Sequence, residues 1–479
     1  MKEKNQALRS LTRRRFMGGV MSTVGLAYGS TGLSQGSAIK LQRDRFGGHL
    51  GMKFAATGFF RVEHDGHRWW FVTPLGHAFI AFGVNHYHAE WWAQDYNRQH
   101  WLDMFDAAEP FDEKWNAGFR EQALKDLNRL GLNSLGMHTT APMLTNPPGN
   151  AVMPYVAVYE PLRLSHYLGP EPEAYFDIFS SDFAAVCDAE VKKTVAPYAN
   201  DPMILGYCMA DCPALTDSEA ERHRTTTWPR RLRNLGEQAA GKRAYVNFIR
   251  ERYPNINDFN GVYETSFTHW EDLLRAENWR SDAKPSSLFE LSDNAEFLLI
   301  CVDRYYSVAK AALRKVDKNH LFFGDKLNGN TDALDGYLSV TRHYTDVVNV
   351  QFYGRWEEQQ AMMDRWSNVA DQPFLNGDSA YTVPTATMPA PYGPHARDHA
   401  ERAKWTRDFM EQATARDDFV GWHMCGVIDT SKTMIGKENA QHQGIMTTSG
   451  NFYPEMESVI ADLSSRLYEI ALQSRYGQR

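Results

Sequence analysis

The chain has 479 residues and a formal net charge of −8, and beyond its first 20 residues it carries no Lys/Arg-rich run, which excludes the basic footprint of a nucleic-acid binder. Hydrophobic residues make up 43% and aromatic residues 13%, enough for a large core with rings left over to stack on the apolar C–H faces of a sugar. The five cysteines, Cys187, Cys208, Cys212, Cys301 and Cys425, are too few and too scattered for a disulfide scaffold, and they form no Cys-x-x-Cys pair of the kind that holds zinc.

Thr12-Arg13-Arg14-Arg15-Phe16-Met17 precedes a Gly-rich, moderately apolar stretch over 18–33, with no acidic residue from there until Asp44. This layout predicts a twin-arginine signal over 1–36 and export to the periplasm or beyond. The apolar stretch is interrupted by Gly, Ser and Thr and falls short of the ~20 residues that span a bilayer, so no stable membrane span is expected. No cofactor and no metal are expected.

Over 37–78 two β-rich runs, Gly58-Phe59-Phe60-Arg61-Val62-Glu63 and Arg68-Trp69-Trp70-Phe71-Val72, flank His64-Asp65-Gly66-His67. The Asp-Gly pair predicts a hairpin, placed at the start of the main domain. From 79 to 479 eight apolar runs of strand length follow, at 79–85, 134–138, 155–160, 204–211, 321–325, 347–353, 374–378 and 420–429. Helical periodicity lies between them at 114–130, 182–198, 241–252, 294–316 and 399–415, with Asp182 and Asn294 near helix starts as caps. Near-continuous apolar strands alternating with helices predict an α/β fold, and eight of them predict a closed (β/α)8 TIM barrel with a long insertion over 214–292 between strands four and five.

Catalytic groups of such a barrel gather where strands end, so polar residues closing the apolar runs are the candidates. Strand one ends in Asn85, His86 and His88, strand two in His138, strand three in Glu160, and strand four in Asp211 followed by Cys212. Strand five ends in Asp325 and Lys326, strand six in Tyr353, strand seven in Asp378, and strand eight in Trp422 and His423. Carboxylates, imidazoles, amides and indoles converging on one cleft suit a polyhydroxylated substrate. Strands four and seven oppose each other, so Asp211 and Asp378 are expected to face one another across the mouth as a catalytic pair. The acid of the pair would keep its proton through desolvation by Tyr207, Trp422 and Tyr353. Trp422 is the expected stacking platform. The 382–397 loop, rich in Pro, and the insertion predict a pocket and exo action.

Gly58-Phe59-Phe60-Arg61-Val62-Glu63, the run from Trp69 through Thr73-Pro74-Leu75-Gly76-His77-Ala78-Phe79, Gly83-Val84-Asn85-His86, Phe259-Asn260-Gly261-Val262-Tyr263, Ser266-Phe267-Thr268-His269-Trp270-Glu271-Asp272-Leu273 and Gly421-Trp422-His423 together resemble glycoside hydrolase clan A. Within it they resemble most the β-agarases and agarase-like proteins of glycoside hydrolase family 50. The resemblance implies hydrolysis of a β-linked oligo- or polysaccharide such as an agar-type galactan, an Asn-Glu pair ending strand four, a nucleophilic Glu after strand seven and a tyrosine beside it at Tyr353. This chain departs at the acids: Asp211 stands at the Asn position, Cys212 at the acid Glu and Asp378 at the nucleophile. The shorter side chains are expected to widen the gap, which favours inversion. Two other readings compete: a carbohydrate-binding barrel that has lost hydrolysis, and a metal-dependent barrel hydrolase using His86, His88, His138, Asp211 and His423.

Overall fold

A computed structural model describes residues 42–139, 151–165, 174–280, 285, 287–331, 334–430 and 441–473. The proposed signal over 1–36 lies outside them. Leu41–Arg479 forms one unit, and no helix among the described residues is long and apolar enough to cross a membrane.

The chain begins with a four-stranded antiparallel sheet of order β1-β4-β3-β2: β1 (His49–Lys53), β2 (Arg61–His64), β3 (Trp69–Val72) and β4 (His77–Phe79). The expected hairpin is β2–β3, in register from Arg61 opposite Val72 to His64 opposite Trp69. Its turn is locked by Asp65: Oδ1 accepts from the amides of His67 and Arg68, and Oδ2 accepts from the Trp70 indole. The run expected as a single strand over 79–85 is in fact broken at Ile80. His77–Phe79 completes the sheet, and the chain then enters barrel strand one. An unbroken apolar run hides such a switch, because both strands are buried.

Eight parallel strands close the barrel: β5 (Ala81–Val84), β6 (Ser134–Leu135), β7 (Tyr155–Val158), β8 (Ile204–Asp211), β9 (Phe322–Asn328), β10 (Val348–Gln351), β11 (Phe374–Ser379) and β12 (Phe419–Met424). Each corresponds to an expected run. Phe46, Phe60, Phe71 and Phe79 from the sheet segment pack with Leu205, Phe323, Val347, Leu375 and Val420 near the strand starts, so the sheet plugs the bottom of the barrel. Burying one such ring contributes roughly 2–3 kcal/mol. The polar chemistry is left to the opposite end.

The expected helices are present, with different caps. Asp182 opens the helix Asp182–Glu190 without capping it. Asn294 lies inside the helix Leu288–Val316, whose cap is Ser287, and its amide donates instead to Asp217. Between β8 and β9 the insertion adds five short helices from Asp217–His223 to Trp270–Arg275 before that long one.

Arg68 ties the sheet to the barrel. Its buried guanidinium donates to the carbonyls of Thr414, Ala471 and Phe419 at 2.7–2.9 Å and lies 4.5 Å from the Trp70 ring centroid. Thr414 and Ala471 sit in the last turns of two helices, where the free carbonyls carry partial negative charge. Burial lowers the guanidinium pKa to about 10, opposed by Asp417 and Asp418, so it stays charged at neutral pH. Arg68→Met removes three hydrogen bonds to buried carbonyls and should lower stability by about 3 kcal/mol, read as a fall in the denaturant midpoint; an unchanged midpoint would mean that Arg68 is not the tie.

Candidate active site

At the C-terminal end of the barrel three charged side chains form one cluster. Lys326 Nζ lies 3.0 Å from Asp211 Oδ1 and 2.9 Å from Asp378 Oδ2. Lys326 is 0% exposed and the two carboxylates 3% each, so almost no water screens them. Burial works against the ammonium charge, and the Asp211 and Asp378 charges outweigh it, leaving the Lys326 pKa raised. Burial likewise works against the Asp378 anion, but Lys326 and then His86 outweigh it and hold that carboxyl well below its ordinary value.

Strand irregularities aim all three charges. Strand alternation alone would put Phe323 and Asp325 on one face, but Gly324 takes φ +67°, and a Cβ there would meet the Tyr306 ring at 2.5 Å. The pairing of β8 with β9 also slips between Cys208 and Asp211. Lys326 therefore turns inward, and Asp325 outward. On β11 the register with β10 slips just before Asp378. Bulges next to barrel rims re-aim side chains in this way. Cys212 (φ 49°) and His86 (φ 50°) hold left-handed conformations unfavourable to non-glycine residues, local strain that the surrounding packing must offset.

Around the cluster, His138 Nε2 lies 2.7 Å from Asp211 Oδ2, and His86 Nε2 lies 3.4 Å from Asp378 Oδ2. The two imidazoles stack at 4.5 Å, and Trp91 stacks on the other side of His86 at 5.1 Å. Burial, and next the neighbouring His138, lower the His86 pKa to about 4, so His86 is neutral at pH 7. The Tyr353 hydroxyl donates to Asp378 Oδ1 at 3.0 Å. Tyr392 packs edge-on against Tyr353 at 4.5 Å and is 52% exposed. Glu160, just past β7, accepts from the Ser165 hydroxyl at 2.6 Å, and Ser165 Oγ in turn accepts from the Asp211 amide at 2.7 Å.

Several expectations are corrected. Asp211 and Asp378 do not stand apart across the mouth. Two oxygens at 3.0 and 2.9 Å from one nitrogen lie less than about 6 Å from each other, short of the roughly 6.5–9.5 Å that admits a water in an inverting pair. The expected apolar surroundings that would keep a proton on the pair are absent, since Tyr207 donates to Asp317 and Trp422 faces away. Asp325 is outside the barrel wall, accepting from Tyr306, Tyr337 and the Ala210 amide. Trp422 is 1% exposed, packs on Phe409 of the helix His399–Ala415 and donates to Ser379, so it is no stacking platform. His88 is peripheral, with its Nδ1 3.9 Å from Glu90. Asn85 and His423 are buried supports: Asn85 Oδ1 accepts from the His138 amide at 3.0 Å, and His423 Nε2 lies 2.9 Å from Ser134 Oγ. Burial lowers the His423 pKa to about 3.

Sequence alone does not single out Trp91, Ser165, Tyr392, Cys425 or His442, the last stacking on Trp91 at 5.3 Å with its Nδ1 3.3 Å from Cys425 Sγ. Trp91 lay in a visible Trp-Trp pair and Tyr392 inside the 382–397 loop, whereas Ser165 and His442 lay in loops with no chemical signature. His86, Asp378 and Cys425 bring one potential metal-ligand atom each within 4.8 Å of one another. The Asp378 oxygen facing His86 is the one Lys326 already occupies, so the ammonium supplies the charge a cation would bring, and this donor set fits a metal poorly.

No protein-family model matches the chain. It is 23% identical over 456 residues to β-agarase B of Vibrio sp. (strain JT0107), covering 82% of this chain and 46% of that protein. To β-agarase A of the same strain it is 23% identical over 377 residues, covering 73% and 36%. The chain thus spans less than half the length of these curated relatives. Among solved structures it superposes on an exo-β-agarase with TM-score 0.74 at 17% identity, over 90% of this chain and 68% of that one. It also superposes on the agarase AgWH50C with TM-score 0.71 at 17% identity, over 90% and 68%. The barrel with its N-terminal sheet is the fold these structures share with it.

Lys326→Met strands two buried carboxylates and should cost roughly 3–5 kcal/mol at pH 7. The sign with pH follows from the shift. In the wild type the depressed Asp378 contributes stability above the ordinary carboxylate range, which is lost as pH falls through its folded value. In the variant burial loses its largest opponent and raises the Asp378 carboxyl against the weaker His86 and Tyr353 contacts, so stability should instead recover as pH drops from 8 toward 5. Thermal melts over that range read the difference, and parallel curves for both proteins would refute the shared ion pair.

Proposed function

We propose that the chain is a glycoside hydrolase acting on a β-linked galactan of the agar type, with its chemistry at the Asp211–Lys326–Asp378 cluster. The observation that carries this reading is the Tyr353 hydroxyl donating to Asp378 at the end of strand seven. That is the tyrosine and nucleophile placement the clan A resemblance implies, on a barrel superposable on agarases. Two carboxylates and one ammonium leave a net charge of −1 facing the mouth, suited to stabilising positive charge at an anomeric carbon. Asp378 is the nucleophile in this reading, with Tyr353 and Lys326 orienting it, and Asp211 adds to the field while His138 holds it in place. Exposed Tyr392 supplies the ring on which a sugar face stacks. The twin-arginine segment supports export, which suits a polysaccharide substrate.

Lost catalysis is the competing reading, and the residue that favours it is Cys212 at the acid position. Its thiol is buried and its pKa pushed well above ordinary by burial, so it cannot deliver a proton.

Release of reducing ends from agarose-derived oligosaccharides by the mature protein tests the proposal. Asp378→Asn should lower turnover by at least ~10³-fold while the protein stays folded. Binding without release of reducing ends by the wild type would favour the lost-catalysis reading. Tyr392→Ala should weaken oligosaccharide affinity by about 5- to 10-fold, as expected for one lost stacking contact. Trp422→Ala should leave affinity near normal and instead lower stability by roughly 3–5 kcal/mol, as loss of a large buried ring does. Calorimetric titration and melts of the two variants separate these outcomes.

A further inference from the structure

Cleavage of a glycosidic bond needs a proton on the departing oxygen, and the cluster described above has no group placed to give it. Lys326 is counter-ion to both Asp211 and Asp378, and a neighbouring cation favours the unprotonated form of a carboxyl. Cys212 keeps its proton too tightly. His86 and His423 are neutral at pH 7, with pKa values of about 4 and 3. His138 is committed to Asp211 at 2.7 Å, so the proton is sought from a neighbour outside the cluster that is neither paired with a cation nor fully shut away from solvent.

We propose that Glu160, at the end of strand three, is the general acid and base of this site, standing in for the carboxyl that Cys212 has replaced. The inference rests on the hydrolase reading. Its geometric basis is the Ser165 bridge. Ser165 gives its hydroxyl proton to Glu160 Oε1 at 2.6 Å and its amide proton to the same oxygen at 3.3 Å. Its Oγ receives the Asp211 amide at 2.7 Å, so the Glu160 carboxyl is anchored one short bridge from the strand-four end where the missing acid belongs. With Oε1 engaged by two donors, the acidic proton is left to Oε2. The largest influences on Glu160 include no lysine or arginine. The charged or titratable neighbours are Asp211 on β8, Asp325 on β9 and Tyr305 on the helix Leu288–Val316. Burial is the largest influence on its pKa; the Ser165 bonds oppose it, Asp325 and Asp211 add to it, and the value rises to about 7. A carboxyl poised there is half protonated at neutral pH, which suits a group that gives and then takes a proton.

The step balances as follows. The Glu160 proton passes to the glycosidic oxygen as the C–O bond breaks, the bonding pair leaves with that oxygen, and the sugar departs as a neutral alcohol. Asp378 bonds to the anomeric carbon. A water then attacks that carbon, its oxygen and one proton going to the product hemiacetal and its other proton returning to Glu160, while Asp378 leaves as carboxylate.

A leaving-group comparison tests this. An agarose-derived oligosaccharide needs protonation to leave, whereas a 2,4-dinitrophenyl glycoside of the same sugar does not. In kcat/KM, which reads the glycosylation step alone, Glu160→Gln should lower cleavage of the oligosaccharide by roughly 10²- to 10⁴-fold and release of dinitrophenolate by less than about tenfold, with dinitrophenolate appearing as a burst because the second step loses its base. The wild-type kcat/KM on the oligosaccharide should fall on the alkaline side with an apparent pKa near 7, a limb absent for the dinitrophenyl glycoside. Equal loss on both substrates, or none on either, would overturn the assignment while leaving the hydrolase reading in place. If Glu160→Gln does not fold, the wild-type alkaline limb decides alone, and identical pH profiles on the two substrates would overturn the assignment. A wild type that cleaves neither substrate removes the hydrolase reading, and this inference with it.

Discussion

The buried ammonium of Lys326 is the contact on which the barrel mouth depends. Placing one cation and two anions where they are 0–3% exposed costs several kcal/mol per ion in lost hydration, and their mutual attraction at 2.9–3.0 Å is the main effect that offsets it. Neither carboxylate could sit there charged without the lysine, and the lysine could not stay charged without at least one carboxylate. That mutual need fixes three strands to one another at their C-terminal ends, since β8, β9 and β11 each contribute one member. It also makes the site a fixed charge rather than a reservoir of protons. Any chemistry that needs a mobile proton must recruit it from outside the cluster, which brings Glu160 and its serine bridge into the argument.

The backbone adapts to this contact. Two register slips and a left-handed Gly324 break the strict alternation of barrel strands just before the charged residues. Cys212 and His86 carry left-handed conformations at the same rim. At the opposite end, where β7 and β11 also slip in register near their starts, four phenylalanines from the N-terminal sheet segment pack against apolar side chains, and Arg68 pins the sheet to two helix C-termini. The apolar end and its tie secure the fold, while the polar end brings charges together, which is the division of labour expected of a barrel with its chemistry at one face.

The same division decides what could be read from sequence. Eight apolar runs, the Asp-Gly hairpin and the helical periods depend on hydrophobic patterning, which is local, so the barrel and its strand order were legible. Which of two adjacent polar residues faces inward was not. Asp325 and Lys326 are neighbours, and Trp422 and His423 are neighbours; a parity argument needs an unbroken strand, and Gly324 removes it on β9. Residue type alone points to Trp422 as a sugar platform, whereas the strand turns it toward Phe409. The exposed ring at the mouth is that of Tyr392, a residue of an irregular loop whose position no periodicity could give. Ser165 was invisible for a similar reason, since a serine acquires meaning only when the fold brings the Asp211 amide and Glu160 to either side of it.

The departures from the pattern that the clan A resemblance implies are coupled rather than independent. A barrel that keeps a glutamic acid directly after strand four can leave the neighbouring side chain neutral. Here Asp211 puts an anion at that neighbouring position and Cys212 removes the acid, and the added charge needs a counter-ion, which Lys326 supplies from the next strand at 3.0 Å. Once Lys326 is present it also reaches Asp378, holding that carboxyl ionised and in place as Tyr353 does from the other side. A shorter carboxylate at strand seven is thereby steadied by two partners. The loss of the proton donor and the reinforcement of the anion are two results of the same substitutions, and a group outside the cluster with an adjustable proton is the complement such a site requires.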